Sequence, residues 1–145
     1  MSKFFYLILV VVLAGSLLYV YRMYQPRSSS PSQGYSDITS VQLKELLANK
    51  DFYLVNVHTP YAGEIEGTDA FIPYDEIAQN LDKLPNDKNA KIVLYCQSGR
   101  MSEIAAQELS DLGYTNVYNH LFGMHDWQSK GYQLQIGRAS CRERV

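Results

Sequence analysis

From Ser36 onward, short apolar runs alternate with stretches whose apolar residues recur every three or four positions. Thr39 and Gln42 have the spacing of a capping box ahead of VQLKELLA, in which Leu43, Leu46 and Leu47 share one helical face. Phe52 to Val57, FYLVNV, is β-branched and aromatic and predicts a buried strand. A loop containing glycine and acidic residues follows, then a short extended piece at AFIP. Asp75 is placed to cap a helix carrying Ile77, Leu81 and Leu84 at i, i+4 and i+7. NDKN is a turn and KIVLY a second buried strand. Ile104, Ala105, Leu109 and Leu112 mark a helix that starts near Met101 or Ser102 and is closed by Gly113. TNVYN is a third strand, and a short helix around Trp127 ends near Gly131. Strands alternating with helices over such short connections predict an α/β fold, a parallel sheet covered on both faces. In open sheets of this kind the ligand site lies beyond the carboxyl ends of the strands.

The ends of the chain follow other patterns. Phe4 to Tyr21 is eighteen residues without a charge, and at ~1.5 Å per residue it approaches the ~30 Å hydrocarbon thickness of a bilayer. Lys3 and Arg22 flank it, and Tyr19, Tyr21 and Tyr24 suit an interfacial belt. Residues 1–24 are therefore expected to form an uncleaved single-span membrane anchor rather than a signal segment. Val12-Leu13-Ala14 offers a small-residue cleavage site, but LLYVY continues past it, and LAGS has serine where a lipoprotein box needs cysteine. Lys3 and the terminal amine oppose Arg22 and Arg27, so charge barely sets the orientation; an extracytoplasmic domain is the default expectation. Residues 25–35, rich in Ser, Pro and Gly, read as a linker. Residues 36–135 are the one domain. Residues 136–145, IGRASCRERV, can be spelled by the codons of a common short-read sequencing adapter and are expected to be a non-native tail. That sets Cys141 aside. Residues 36–135 hold seven Lys/Arg against fourteen Asp/Glu, a formal charge of −7; such a surface repels nucleic acid and anionic headgroups.

Cys96 directly follows IVLY and precedes Gln97, Ser98, Gly99 and Arg100. A cysteine used as apolar filler belongs inside the run; this one stands at its carboxyl edge, where chemistry gathers. The thiolate is the reactive species, and an ordinary thiol is mostly protonated at neutral pH. A loop of Gln97, Ser98, Gly99, Arg100, Met101 and Ser102 can turn successive N–H groups inward, with Gly99 supplying backbone freedom and the following helix its dipole. Arg100 adds a full charge. Such a cradle would hold a sulfur anion, a persulfide or a bound oxyanion.

YCQSGRMS resembles the active-site loop of single-domain rhodanese-like sulfurtransferases, Cys-x-x-Gly-x-Arg. The resemblance runs from about Ile38 to Leu134. LVNVHTP is similar to the family's VDVRTP, GEIEG to GHIPG, FIPYDEI to NIPLDEL, and LGYTNVYNHLFGMHDWQSKGYQL to its closing GFTNVYNLEGGMNAWQAAGLPV. It implies a five-stranded parallel sheet flanked by helices. It also implies transfer of a sulfane sulfur from a donor such as thiosulfate or a persulfide, through a Cys96 persulfide, to a thiol or cyanide acceptor, with no metal or organic cofactor. Amides of the 97–102 loop would stabilise the charge. The chain departs from the family at Met101, where the loop arginine usually stands, with Arg100 one residue earlier. It departs also at Asn56, His58 and Glu64, which replace Asp, Arg and His. His58 and Glu64 are candidate pocket residues, and Glu64, Glu66 and Asp69 would make an acidic entrance.

Other chemistries fit less well. A rhodanese-like phosphatase needs Cys-x5-Arg, and Ser102 stands at that position; a thiol-disulfide oxidoreductase needs a second nearby cysteine. The rival is a noncatalytic or reactive-sulfur-sensing module at the membrane. His58, His120 and His125 lack ligand spacing for a metal and are expected in loop hydrogen bonds. Trp127 and Phe122 are expected to pack beneath the terminal helix, and Tyr61 and Tyr74 flank the acidic loop.

Overall fold

A computed structural model of the chain describes residues 34–136, together with Gly15 and Ser16. The segment read as a span, the linker up to Gln33 and the tail beyond Ile136 otherwise lie outside the described residues. Among the described residues no helix is long and apolar enough to cross a membrane.

The elements are β1 (Ser36–Ile38), α1 (Ser40–Ala48), β2 (Tyr53–Asn56), β3 (Glu64–Ile65), β4 (Ala70–Phe71), a 3-10 segment (Tyr74–Lys83), β5 (Ile92–Tyr95), α2 (Arg100–Asp111), β6 (Val117–His120), α3 (Gly123–Ser129) and β7 (Leu134–Gln135). Five strands form one sheet in the order β1-β6-β5-β2-β4, with every pair parallel. This is the α/β architecture expected. β3 and β7 make a separate antiparallel pair.

Side chains alternate across the sheet, which sorts the core into two layers. Val55, Ile92, Leu94 and Cys96 pack with Ile77 and Leu84 from the 3-10 segment and Ala105, Ala106 and Leu109 from α2. Leu54, Val93 and Tyr95 pack on the other side with Leu43, Met124 and Trp127. Cys96 continues the Ile92–Leu94 alternation by one more step. The strand pattern, rather than the loop, fixes which face receives the sulfur.

The capping box forms: the Gln42 amide donates to Thr39 Oγ1 and the Thr39 amide to Gln42 Oε1. Three expectations need correction. Asp75 caps no helix; Pro73 precedes a 3-10 segment with no side-chain cap, broken at Asn80 (φ −121°), whose Nδ2 donates to the Glu76 carbonyl and so competes with the helical ladder. Ile104 and Leu112 face outward (48% and 40% exposed), because the stripe on α2 that meets the sheet is Ser102, Ala105, Ala106 and Leu109. Phe122 does not pack beneath the last helix. Its left-handed backbone (φ 62°) opens α3 and leaves the ring 61% exposed, whereas Trp127 is buried and donates from Nε1 to the Gln133 carbonyl.

Candidate active site

The Cys96 sulfur lies where apolar core meets polar loop. It is 1% exposed among apolar neighbours, yet it accepts a hydrogen bond from the Gly99 amide at 3.1 Å. Ser102 Oγ stands 3.5 Å away on its buried side. Of the loop amides expected to wrap the sulfur, that of Gly99 is the one bonded to it. Arg100, Met101 and Ser102 supply the first N–H groups of α2, which have no carbonyl within the helix to bind; the Glu103 amide is the first to turn back, to the Gly99 carbonyl.

Two glycines make the loop possible. Gly99 has φ 92°, and a Cβ there would come within 2.9 Å of the Phe122 nitrogen. Gly123 lies so close to the loop that a Cβ would overlap the Cys96 carbonyl oxygen. This close approach lets the amides of Met124 and His125 donate to the carbonyls of Cys96 and Gln97, at 2.9 and 3.0 Å. With those carbonyls held toward α3, the Gly99 amide further along the loop is left to face the sulfur.

Gln97, Ser98 and Arg100 are exposed, and Met101 is half-buried against the Cys96 layer. Arg100 forms no ion pair among the described residues, so its charge is available to an incoming anion. His58 follows β2 and is buried; burial, reinforced by repulsion from His125, lowers its affinity for a proton. Its Nδ1 has no partner among the described residues. Asn56, where the family has aspartate, bridges the loop: Nδ2 donates to the Gly63 carbonyl and Oδ1 accepts from the His58 amide. The three acids of the expected entrance are spread out. Glu64 is buried on β3, Glu66 is exposed, and Asp69 is tied to β2 through the Leu54 amide and to Lys50. Tyr61 meets the Phe71 ring edge-on at 5.5 Å, and Tyr74 is half-buried against the Cys96 layer.

Asn119 was legible as a strand residue, whereas His120, expected in a loop, is the last residue of β6; the partners of neither were legible. Asn119 Oδ1 accepts from Ser102 Oγ at 2.7 Å, and its Nδ2 donates to Asp37 Oδ1 at 2.8 Å. The parallel register, which sets Asp37 beside Asn119 and Leu94 beside Asn119, brings this about. An asparagine within a predicted strand was the available signal, since a buried amide must find partners. His120 is buried against the Trp127 ring, with Nε2 2.8 Å from Ser40 Oγ, and Ser40 donates to Asp126 Oδ2 at 2.6 Å. Burial pushes His120 down to about 4, opposed by Asp126, and the Ser40 hydrogen bond foremost lowers Asp126. His120 therefore serves packing and a loop clasp.

Residues 39–130 match the rhodanese-like domain. A sulfurtransferase of Allochromatium vinosum is 32% identical over 103 residues, covering 68% of this chain and 94% of that one. A thiosulfate sulfurtransferase of Escherichia coli is 40% identical over 48 residues, 33% of this chain and 46% of that one. The chain thus spans less than half the length of some of the curated relatives it matches. Among solved structures, a rhodanese-like domain protein from Staphylococcus aureus superposes with a TM-score of 0.60 at 30% identity, covering 70% of this chain and 98% of the other.

Proposed function

Because the chain belongs to the rhodanese-like domain family, we propose that it is a sulfurtransferase whose carrier is Cys96. The observation that carries this reading is the Gly99 N–H donated to the sulfur at the carboxyl end of β5. In the proposed cycle the Cys96 thiolate attacks the outer sulfur of thiosulfate. The sulfur–sulfur bond breaks, sulfite leaves with the bonding pair, and Cys96 holds a persulfide. A thiolate acceptor then attacks the outer sulfur, leaves as its own persulfide and returns Cys96 as thiolate. With cyanide the product is thiocyanate. The Gly99 amide and the head of α2 stabilise negative charge at each step, and exposed Arg100 draws the anionic donor. The loop residues Gln97, Ser98, Met101 and Ser102 line that cradle, and His58 and Glu64 bound the pocket. A low-molecular-weight persulfide donates by the same exchange, and no metal or organic cofactor takes part.

The uncharged run from Phe4 to Tyr21 supports a single N-terminal span that holds the domain at a membrane, on its extracytoplasmic face. The near-complete burial of Cys96 supports a second reading, a reactive-sulfur-sensing or noncatalytic module at that surface. Sulfur transfer by wild type and Cys96→Ser, from thiosulfate and from a small persulfide, separates the two. Transfer from either donor that vanishes in Cys96→Ser supports the enzyme. Inactivity of well-folded wild type with both donors overturns it in favour of the module.

A further inference from the structure

Behind the sulfur stands a chain of polar groups that the sulfur-transfer cycle does not by itself require. Ser102 and Asn119 are buried, and Asp37 at the far end is exposed. The carboxylate at its end and the shortest contact along it order its protons. The Asp37 carboxylate only accepts, so the Asn119 group facing it is the NH₂, and the carbonyl Oδ1 faces Ser102. A serine hydroxyl has a single proton. That proton goes to Asn119 Oδ1 at 2.7 Å, and the oxygen's lone pairs are left toward Cys96 Sγ at 3.5 Å.

We propose that Asn119, oriented by Asp37, is a positioning residue that withholds the Ser102 hydroxyl proton from the Cys96 sulfur, so that ionisation of the sulfur or formation of its persulfide requires the hydroxyl to turn and release Asn119. This rests on the reading of Cys96 as the sulfur carrier. When the thiol ionises, its proton leaves to solvent. The Ser102 O–H then rotates about its Cβ–Oγ bond to donate to the sulfur anion, and Asn119 Oδ1 is left unpaired in a buried place. The bond gained to the sulfur anion is charge-assisted, but the buried acceptor left unpaired offsets much of that gain, so Asn119 weakens the help Ser102 can give to the anion that the Gly99 amide favours. The Gly99 carbonyl, 3.0 Å from Ser102 Oγ, is a weaker competitor because it already accepts from the Glu103 amide. Substrate chemistry thus works against a clasp whose outer end is open to solvent.

Other ionisable groups border this region: Tyr35 just before β1, whose hydroxyl donates to Glu103 and which burial pushes up to about 12; Arg100 and Glu103 on α2; Tyr74 on the 3-10 segment; His58 after β2; and His125 on α3. An Asn119→Leu change alters the charge of none of them.

The test is a titration of Cys96 by ultraviolet thiolate absorbance in the full chain, with Cys96→Ser as the blank. Asn119→Leu is expected to move the curve to lower pH, raising the thiolate fraction at a fixed pH below the midpoint roughly three- to tenfold. Asp37→Ala, at an exposed site that leaves the core intact, lets the Asn119 amide turn over and is expected to act in the same direction. Part of its effect is loss of a nearby negative charge, so it is repeated in Ser102→Ala protein. The shift there is expected to shrink to that through-space part, which added salt screens. An Asn119→Leu curve that superimposes on wild type or moves to higher pH overturns the proposal. So does an Asp37→Ala shift of equal size with and without the Ser102 hydroxyl. Persulfide on Cys96 is measured on the same samples: its absence from wild type would defeat the sulfur-transfer reading while the titration still judged the clasp.

Discussion

Asn119 and His120 are consecutive on β6 and point to opposite faces of the sheet, and each is joined to a fully buried serine. On one face the chain runs Cys96, Ser102, Asn119, Asp37; on the other it runs His120, Ser40, Asp126. Judged by residue types, the second set is the more suggestive, since serine, histidine and aspartate make a nucleophilic triad. Its protons run the wrong way. Ser40 gives its only proton to the Asp126 carboxylate, so His120 Nε2 is the donor to Ser40 and has no lone pair with which to take a proton from it. Its Nδ1 has no partner among the described residues, where a triad would place the carboxylate. The group is a clasp tying the start of α1 to α3 across β6. The first set contains a cysteine at a strand's carboxyl end, an amide donating to its sulfur and exposed loop residues beside it. Direction of donation, rather than composition, distinguishes a site from a brace.

The sharpest way to break this contrast is at the packing that sets the Cys96 loop. Gly123→Ala, at φ 58°, puts a methyl group into the Cys96 carbonyl, while Gly113→Ala, also at a positive φ (90°), meets open space. Gly123→Ala is expected to cost about 3 kcal/mol or more in urea unfolding and to lower sulfur transfer at least about a hundredfold. Gly113→Ala is expected to cost only about 1–2 kcal/mol of backbone strain and to leave transfer intact. Equal losses would mean the loop is not positioned by α3.

The brace has its own signature. Folded His120 titrates near 4 and an unfolded histidine near 6.5. Between those values the unfolded chain binds more protons, so stability is full above pH 6.5 and falls as the pH drops through the window. The loss reaches on the order of 3 kcal/mol by pH 4. His58, also lowered, adds to it with the same sign, and Asp126 adds its share at still lower pH. His120→Gln is expected to flatten most of that slope in denaturation curves taken from pH 7 to 4; an unchanged slope would show that His120 is not held neutral. Within the brace, a smaller effect belongs to Ser40→Ala, which is expected to lose about 1–3 kcal/mol of stability with transfer unaltered. A loss of transfer far beyond the loss of fold would instead make the second face catalytic.

Much of this architecture was legible because the signals are local. The capping box at Thr39, the strand runs at Tyr53–Asn56 and Ile92–Tyr95, and the glycine within the cysteine loop each obey short-range rules. What was not legible depends on register between distant segments. β1 and the β3–β7 pair are two or three residues long, too short to show a period. Phe122 reads as core by hydrophobicity, but its left-handed turn is set by the close passage of Gly99 and turns the ring to solvent. Ile104 and Leu112 satisfy helical spacing along the wrong stripe, because the sheet takes the small-residue face of α2. The Cys96 loop was visible as a motif, whereas Asn119 and Asp37 come beside it only when β1 pairs with β6.

The central claim is that Cys96 carries sulfur as a persulfide, and mass spectrometry reads that species directly. Protein incubated with thiosulfate or a small persulfide is digested under conditions that preserve the bond, and the peptides containing Cys96 and Cys141 are compared. The account predicts a peptide heavier by one sulfur atom at Cys96, absent from Cys96→Ser and discharged by an added thiol. A folded wild-type protein that leaves Cys96 unmodified with both donors would contradict it.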